Sequence, residues 1–180
     1  MTKIKNLINK LFQEVCMPKI TLRYPLISDA ARFFEILCNP NFIYFNVPIS
    51  SVAEEEEYIK GCEEKRKRNF EYNYSIVYNN NLVGGCGIKI DQHRNFIGEI
   101  GYFVAEEFWG KGIATEAVKL MEKIAFKELK LKRVEILMKT ENKASEKVAI
   151  KNGYVKEGIK RKAVKNRNQY FDVYLYAKIV

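Results

Sequence analysis

The chain predicts an α/β protein built on a mixed α+β sheet, with helices on both faces. Three observations lead there. Short stretches with period-two apolar alternation are interleaved with longer amphipathic stretches of helical period. Their order is strand, two helices, three strands, helix, strand, helix, two strands, which demands both hairpins and crossovers. The 180 residues, 47% hydrophobic and 29% charged, are enough for one unit with a real core.

Each element has its own signal. Residues 19–24 alternate apolar and polar and stop at Pro25, the mark of a strand. Ser28 then caps a helix over residues 29–38, which Asn39-Pro40 ends. Residues 41–50 form an aromatic-rich loop. Ser51 and Glu54 make a capping box for a helix running to about residue 68, acidic at its start and basic at its end, as the helix dipole favours. The acidic run at 54–57 therefore reads as a helix start rather than a metal site. Strands follow at 71–78, 82–90 and 96–104, separated by turns at 79–81 and 91–95. A helix over 112–129 carries a broad apolar face that includes Ile113, Ala117, Leu120, Met121, Ile124 and Phe126. Residues 133–139 alternate as a strand, 143–152 form a helix with Gly153 as its C-cap, and two strands close the chain, the second over 169–179. Ahead of this core, over residues 19–179, Ile4, Leu7, Ile8, Leu11 and Phe12 mark an additional amphipathic helix within residues 1–17. With no linker or repeat, residues 1–180 read as a single domain.

Composition excludes several classes. No apolar run approaches a membrane span and no signal peptide is visible, so the expectation is a cytoplasmic protein without a membrane partner. Cys16, Cys38, Cys62 and Cys86 are scattered without Cys-x-x-Cys spacing, and His93 is the sole histidine, which argues against zinc and for reduced thiols. Net charge is +9, densest over residues 156–167, with Lys160, Arg161, Lys162 and Lys165. No nucleic-acid motif surrounds that segment, so it implies attraction to anions and nothing narrower.

The most informative stretch lies between the third strand of the middle group and the long helix. Trp109, Gly110, Lys111, Gly112, Ile113, Ala114 and Thr115 place two glycines one residue apart at a helix start. Such a loop turns backbone N–H groups inward beside the positive end of a helix dipole, an arrangement suited to phosphate. An ordinary strand–helix turn is the competing reading.

Four pieces in register resemble the GCN5-related N-acetyltransferase (GNAT) superfamily. They are Gly98-Glu99-Ile100-Gly101-Tyr102-Phe103-Val104, the stretch from Trp109 to Ala117, Glu141-Asn142-Lys143-Ala144-Ser145, and Lys151-Asn152-Gly153-Tyr154. Their spacing is similar to the branch that acetylates ribosomal-protein N-termini, the RimJ/RimL type. The resemblance implies a mostly antiparallel twisted sheet of about seven strands with a splayed parallel pair, and acetyl-coenzyme A (acetyl-CoA) as co-substrate. It assigns the pyrophosphate to the loop Trp109–Gly110–Lys111–Gly112–Ile113–Ala114–Thr115. The family usually opens that loop with Gln or Arg; Trp109 stands here, and backbone N–H groups carry the contact. Tyr102, Phe103 and Val104 lie where the pantetheine arm pairs with a strand edge, and the Val104 N–H is placed to polarise the thioester carbonyl; they also suit a core strand. Asn142 fits either the pantetheine arm or the cap of the helix that follows.

For catalysis the resemblance implies Glu99 as base, acting through water. A carboxylate within an apolar strand is costly unless it is used or paired. The family's helix tyrosine acid falls at Ala149, so it is missing. Ser145 takes its place as a sulfur partner, though a helix-surface serine is the plainer reading. The acceptor expected is a primary amine, either a protein N-terminus, with the ribosome or a ribosomal protein as partner, or a small molecule such as a polyamine, amino acid or amine antibiotic, as in detoxification or self-immunity. A non-catalytic acyl-CoA-binding or ribosome-binding module is the rival from another class. Phe42, Tyr44, Phe45 and Tyr72 are candidate walls of the acceptor pocket and equally candidate core residues. The chain is expected to act as a monomer or homodimer, without metal.

Overall fold

A computed structural model describes residues 20–44, 50–166 and 168–180. The expected N-terminal helix, Cys16, Phe45 and Arg167 lie outside the described residues. The strands are β1 (Ile20–Arg23), β2 (Glu71–Tyr78), β3 (Asn81–Ile90), β4 (Ile97–Val104), β5 (Arg133–Lys139), β6 (Val155–Asn166) and β7 (Gln169–Ile179). The helices are α1 (Ala30–Leu37), α2 (Val52–Lys67), α3 (Ile113–Lys123), whose last turn widens into a π-turn over Ile124–Glu128, and α4 (Lys143–Lys151). The strands form one sheet in the order β1-β2-β3-β4-β5-β7-β6. Every neighbouring pair is antiparallel except β4 and β5. The crossover that makes that pair parallel is α3.

Side-chain alternation along β4 sorts the layers. Ile100 joins the main core with Ile113, Ala117, Val118 and Met121 of α3, Ala149 of α4, and Val134 and Ile136 of β5. Fully burying each of the larger aliphatic side chains contributes about 1.5–3 kcal/mol. Phe103, of opposite parity, packs on the other face against Ala30 and Phe33 of α1 and Ile59 of α2. The helices therefore cover both faces, α3 and α4 behind and α1 and α2 in front.

Two helix starts differ from expectation. Ser28 does not cap α1. It lies inside a 3-10 turn over Ile27–Asp29, and Asp29 occupies the N-cap position without a capping side-chain bond. The Asp29 carboxylate instead accepts from the two terminal Arg23 guanidinium nitrogens (2.6 and 2.7 Å), the Leu26 N–H (2.9 Å) and Ser75 Oγ (2.7 Å). A carboxylate with a bidentate guanidinium outweighs one hydroxyl cap. At α2, Ser51 Oγ accepts from the Glu54 N–H (3.2 Å) as expected, but the Glu54 carboxylate reaches past it to the Ser50 N–H and Oγ (2.8 and 2.7 Å). Of the same acidic run, Glu55 is turned into the interior.

Candidate active site

The β4–β5 ladder is short. It joins Ile97, Gly98 and Glu99 to Arg133, Val134 and Glu135 and then ends, although both strands continue. From Ile100 to Val104, β4 pairs only with β3. The Ala105 N–H donates to the Val83 carbonyl on the β3 side (2.8 Å), so by strand alternation the Val104 N–H and C=O face the gap toward β5. A polar, extended chain fits that gap by pairing with the open edge. The expected splay is present, and Val104 lies on it.

The glycine loop closes the wide end of this gap. Gly110 and Gly112 have φ of 75° and 77°, the left-handed region that side chains disfavour, and a Cβ at either would meet nothing within 4 Å. Gly112 is the residue before α3, so the first N–H groups of Ile113, Ala114 and Thr115 have no carbonyl inside the helix to bond. That supplies an open cradle of donors at a helix N-terminus, which fits a pyrophosphate. Trp109 fastens the loop: its indole N–H donates to the Val104 carbonyl (2.6 Å), and its ring lies 5.9 Å from that of Phe42. The Lys111 ammonium is folded over the Phe108 ring, 4.8 Å from its centroid.

Asn142 and Ser145 meet at the start of α4. Asn142 Oδ1 accepts from the Ser145 N–H (3.0 Å), so the capping role is filled. Ser145 Oγ lies 2.7 Å from the Tyr102 hydroxyl, which joins a residue of β4 to a residue of α4 across the gap. Position 149 is a fully buried alanine. Phe103 turns its side chain away from the gap, toward Phe33 and Phe42 (5.6 and 6.3 Å).

Glu99 is on the front face and exposed to solvent, which corrects the expectation of a carboxylate inside an apolar strand. Alternation explains it: Ile100 faces the core and Glu99 its opposite. Protein atoms still crowd the carboxyl, and this desolvation, together with Glu135 directly across β5, raises its pKa, while Lys160 and Lys89 pull the other way. Next to Glu99 on the same face, a Cβ built on Gly101 meets nothing within 4 Å, and Phe103 follows. This face of β4 therefore runs from a carboxylate at Glu99, over open space at Gly101, to the aromatic ring of Phe103. Glu135 is itself held by Arg133 (2.6 Å) and Lys160 (3.9 Å).

Of the expected acceptor walls, Phe42 packs between Trp109 and Phe103, and the Tyr44 hydroxyl donates to the Glu141 carbonyl (3.3 Å), which ties the α1–α2 loop to the loop before α4. Tyr72 stands apart on β2, bonded to Asn69. Sequence reading missed Glu55, whose pKa burial raises against the pull of Lys65, and missed Glu135. Helical spacing carried a signal for Glu55, since it shares a face with Ile59 and Cys62 at i, i+4 and i+7. Among the described residues, no His, Cys, Asp and Glu group is arranged to hold a metal ion, and no helix is long and apolar enough to cross a membrane.

Comparisons with known proteins agree with this geometry. The family model described as acetyltransferase (GNAT) domain matches residues 19–155. The chain is 28% identical over 163 residues to an uncharacterised N-acetyltransferase, p20, of Bacillus licheniformis, covering 88% of this chain and 92% of that protein. It is 25% identical over 176 residues to a ribosomal-protein-serine acetyltransferase of Escherichia coli strain K12, covering 98% and 89%. Among solved structures, RimL, a ribosomal L7/L12 alpha-N-protein acetyltransferase with coenzyme A, superposes with TM-score 0.80 at 27% identity, covering 89% of this chain and 94% of that one. The microcin C7 self-immunity acetyltransferase MccE, with acetyl-CoA and AMP, superposes with TM-score 0.81 at 25% identity, covering 90% and 93%.

Proposed function

The chain belongs to the GNAT acetyltransferase family and uses acetyl-CoA as acetyl donor, and we propose that its acceptor is the N-terminal α-amine of a protein, a ribosomal protein foremost. The observation that carries this reading is the open space over Gly101, with Glu99 exposed beside it. An extended chain end can lie against that open face without displacing a side chain at position 101.

The donor supplies an acyl group activated as a thioester. The chain's own residues do the rest. The cradle from Gly110 to Thr115 holds the pyrophosphate, and the β4 edge orients the arm that follows. The Val104 N–H donates to the carbonyl oxygen as charge develops on it. Glu99 takes the proton of the incoming ammonium through a water molecule, and its raised pKa brings it nearer to that of a useful general base. Holding amine and thioester side by side removes much of the entropic barrier.

A small-molecule amine is the second reading, favoured by the likeness to a self-immunity acetyltransferase. The net charge of +9 works against a polycation as that acceptor. An acceptor screen decides between them. Ribosomal-protein N-terminal peptides and a panel of small amines are offered with acetyl-CoA, and thiol release is followed. Turnover on peptides with a free α-amine, and not on the same peptides with a blocked one, is the expected result. Turnover confined to small amines moves the assignment to the second reading.

A further inference from the structure

Tyr102 projects from β4 into the same core cluster that holds Ala149 of α4. Its hydroxyl has two partners, both on Ser145: Oγ at 2.7 Å and the carbonyl oxygen at 3.3 Å. The Ser145 N–H is held by Asn142 Oδ1 at 3.0 Å. Three contacts thus fix this serine in the first turn of α4, where the helix dipole favours negative charge. A phenol has one hydrogen to give. Once it is given to Ser145 Oγ, the serine's own hydrogen points away from Tyr102 and is available to another acceptor. Position 149 cannot offer a hydroxyl, because it is a fully buried alanine. The strand brings the phenol that the helix lacks.

We propose that Tyr102 polarises Ser145, and that the two hydroxyls act as a relayed hydrogen-bond donor to the sulfur that leaves the acetyl donor. This rests on the acetyltransferase reading of the site and deepens it. In the step, the amine nitrogen bonds to the carbonyl carbon, the C–S bond breaks, and its electron pair stays on sulfur. The Ser145 O–H donates to that sulfur while the Tyr102 O–H donates to Ser145 Oγ. Neither hydroxyl loses its proton. The amine's proton goes through water to Glu99, and the thiolate is protonated by solvent. Burial pushes Tyr102 up to about 12, so the phenol keeps its hydrogen throughout neutral pH. Ser145 touches the reacting sulfur; Tyr102 acts through it and is a positioning residue. On α4, Glu146 is already occupied by Lys143 (3.0 Å) and the Tyr176 hydroxyl (2.8 Å).

The test uses free coenzyme A bound to the full chain, titrating its thiol through the ultraviolet absorbance of the thiolate. Tyr102→Phe keeps the ring and its packing but removes the donor. It is expected to raise the bound thiol's pKa by a fraction of a unit, since it weakens the Ser145 bond to the charged sulfur without deleting it. Ser145→Ala, which deletes that bond, should raise it by about one unit, and the double variant no more than Ser145→Ala alone, because the two form one chain. In turnover, kcat should fall about tenfold with little change in KM for acetyl-CoA. If Tyr102→Phe leaves the thiol titration as in the parent while Ser145→Ala moves it, Tyr102 is packing only and the proposal is overturned. It is equally overturned if neither variant moves the titration while coenzyme A still binds. Failure of the parent chain to bind coenzyme A would strike the acetyltransferase reading itself.

Discussion

The two flanks of β4 solve different problems with different materials. The flank toward β5 and α3 is built from backbone: an open strand edge, two left-handed glycines and the first N–H groups of a helix. The front flank is built from side chains: Glu99, Glu135, Phe103 and the Asp29–Arg23 pair that seats the start of α1. A cofactor that is the same in every turnover can be held by backbone, which every residue carries. An acceptor that must be chosen needs side chains.

The largest effect that would break this contrast lies in the front scaffold. Asp29→Ala removes a buried carboxylate that joins Arg23, Leu26 and Ser75. Loss of one member of such a set costs about 3 kcal/mol, to be read from denaturant midpoints. The pH dependence has a defined sign. Burial alone would raise the Asp29 pKa, but bonds from Arg23, the Leu26 N–H and Ser75 outweigh it, and the net direction is down. A group depressed in the folded state stabilises above the ordinary carboxylate pKa, and that stabilisation is lost as pH falls through the folded value. The parent should therefore lose stability faster than Asp29→Ala does as pH falls below the ordinary carboxylate pKa. Parallel acid profiles for the two chains would show that the cluster is not the anchor of the front flank.

Glu99→Gln sharpens the contrast at the chemical step. The side chain keeps its size and loses its basicity, so kcat/KM should fall about a hundredfold, the low end of general-base effects. Coenzyme A affinity should hold, because Glu99 is on the other flank. The parent's rate should fall as pH drops through a value above the ordinary glutamate pKa, since the protein atoms crowding the carboxyl and Glu135 both raise it. The variant should lack that limb. A variant with the parent's rate and pH profile would leave the proton transfer to another group.

On the donor flank, Gly112→Val forces a β-branched residue into φ near 77°. That conformation costs on the order of 1–3 kcal/mol, and the loop should relax away from it. Coenzyme A should bind about tenfold more weakly, while peptide binding measured without the cofactor stays as it was. Equal losses of both would mean that the two flanks are one site energetically.

This division also decides what could be read from the sequence. Element order, the hairpins and the helix ends at Gly112, Asn142 and Gly153 are local, and glycine, asparagine and alternation announce them. The backbone flank was legible for that reason: the glycines of the loop and the strand before it identify themselves within ten residues. The short β4–β5 ladder, which makes the gap, came only with the family resemblance. The front flank was hardly legible, because its chemistry depends on register. Glu99 looks apolar-buried when read along β4, and only the pairing with Lys89 on one side and Glu135 on the other shows a solvent-facing charged row. Ser28 looked like a cap because nothing local reveals that Asp29 reaches Arg23 and, 46 residues on, Ser75. Tyr102 and Ser145 are 43 residues apart and meet only across the gap.

The smallest effect belongs to Trp109, where the two flanks touch. Its indole N–H occupies the Val104 carbonyl at 2.6 Å, and its ring leans on Phe42 of the front loop. Trp109→Phe keeps much of the ring contact and deletes the hydrogen bond. The Val104 carbonyl then turns to solvent or to the cofactor, and the loop loses one tether, a loss of about 1 kcal/mol. Coenzyme A affinity should fall about fivefold by calorimetry, and kcat should hold if Val104 keeps its N–H aimed into the gap. A fall in kcat larger than the fall in affinity would place Trp109 in the alignment of Val104 itself, so that the departure from the family's usual residue at this position serves catalysis as well as binding.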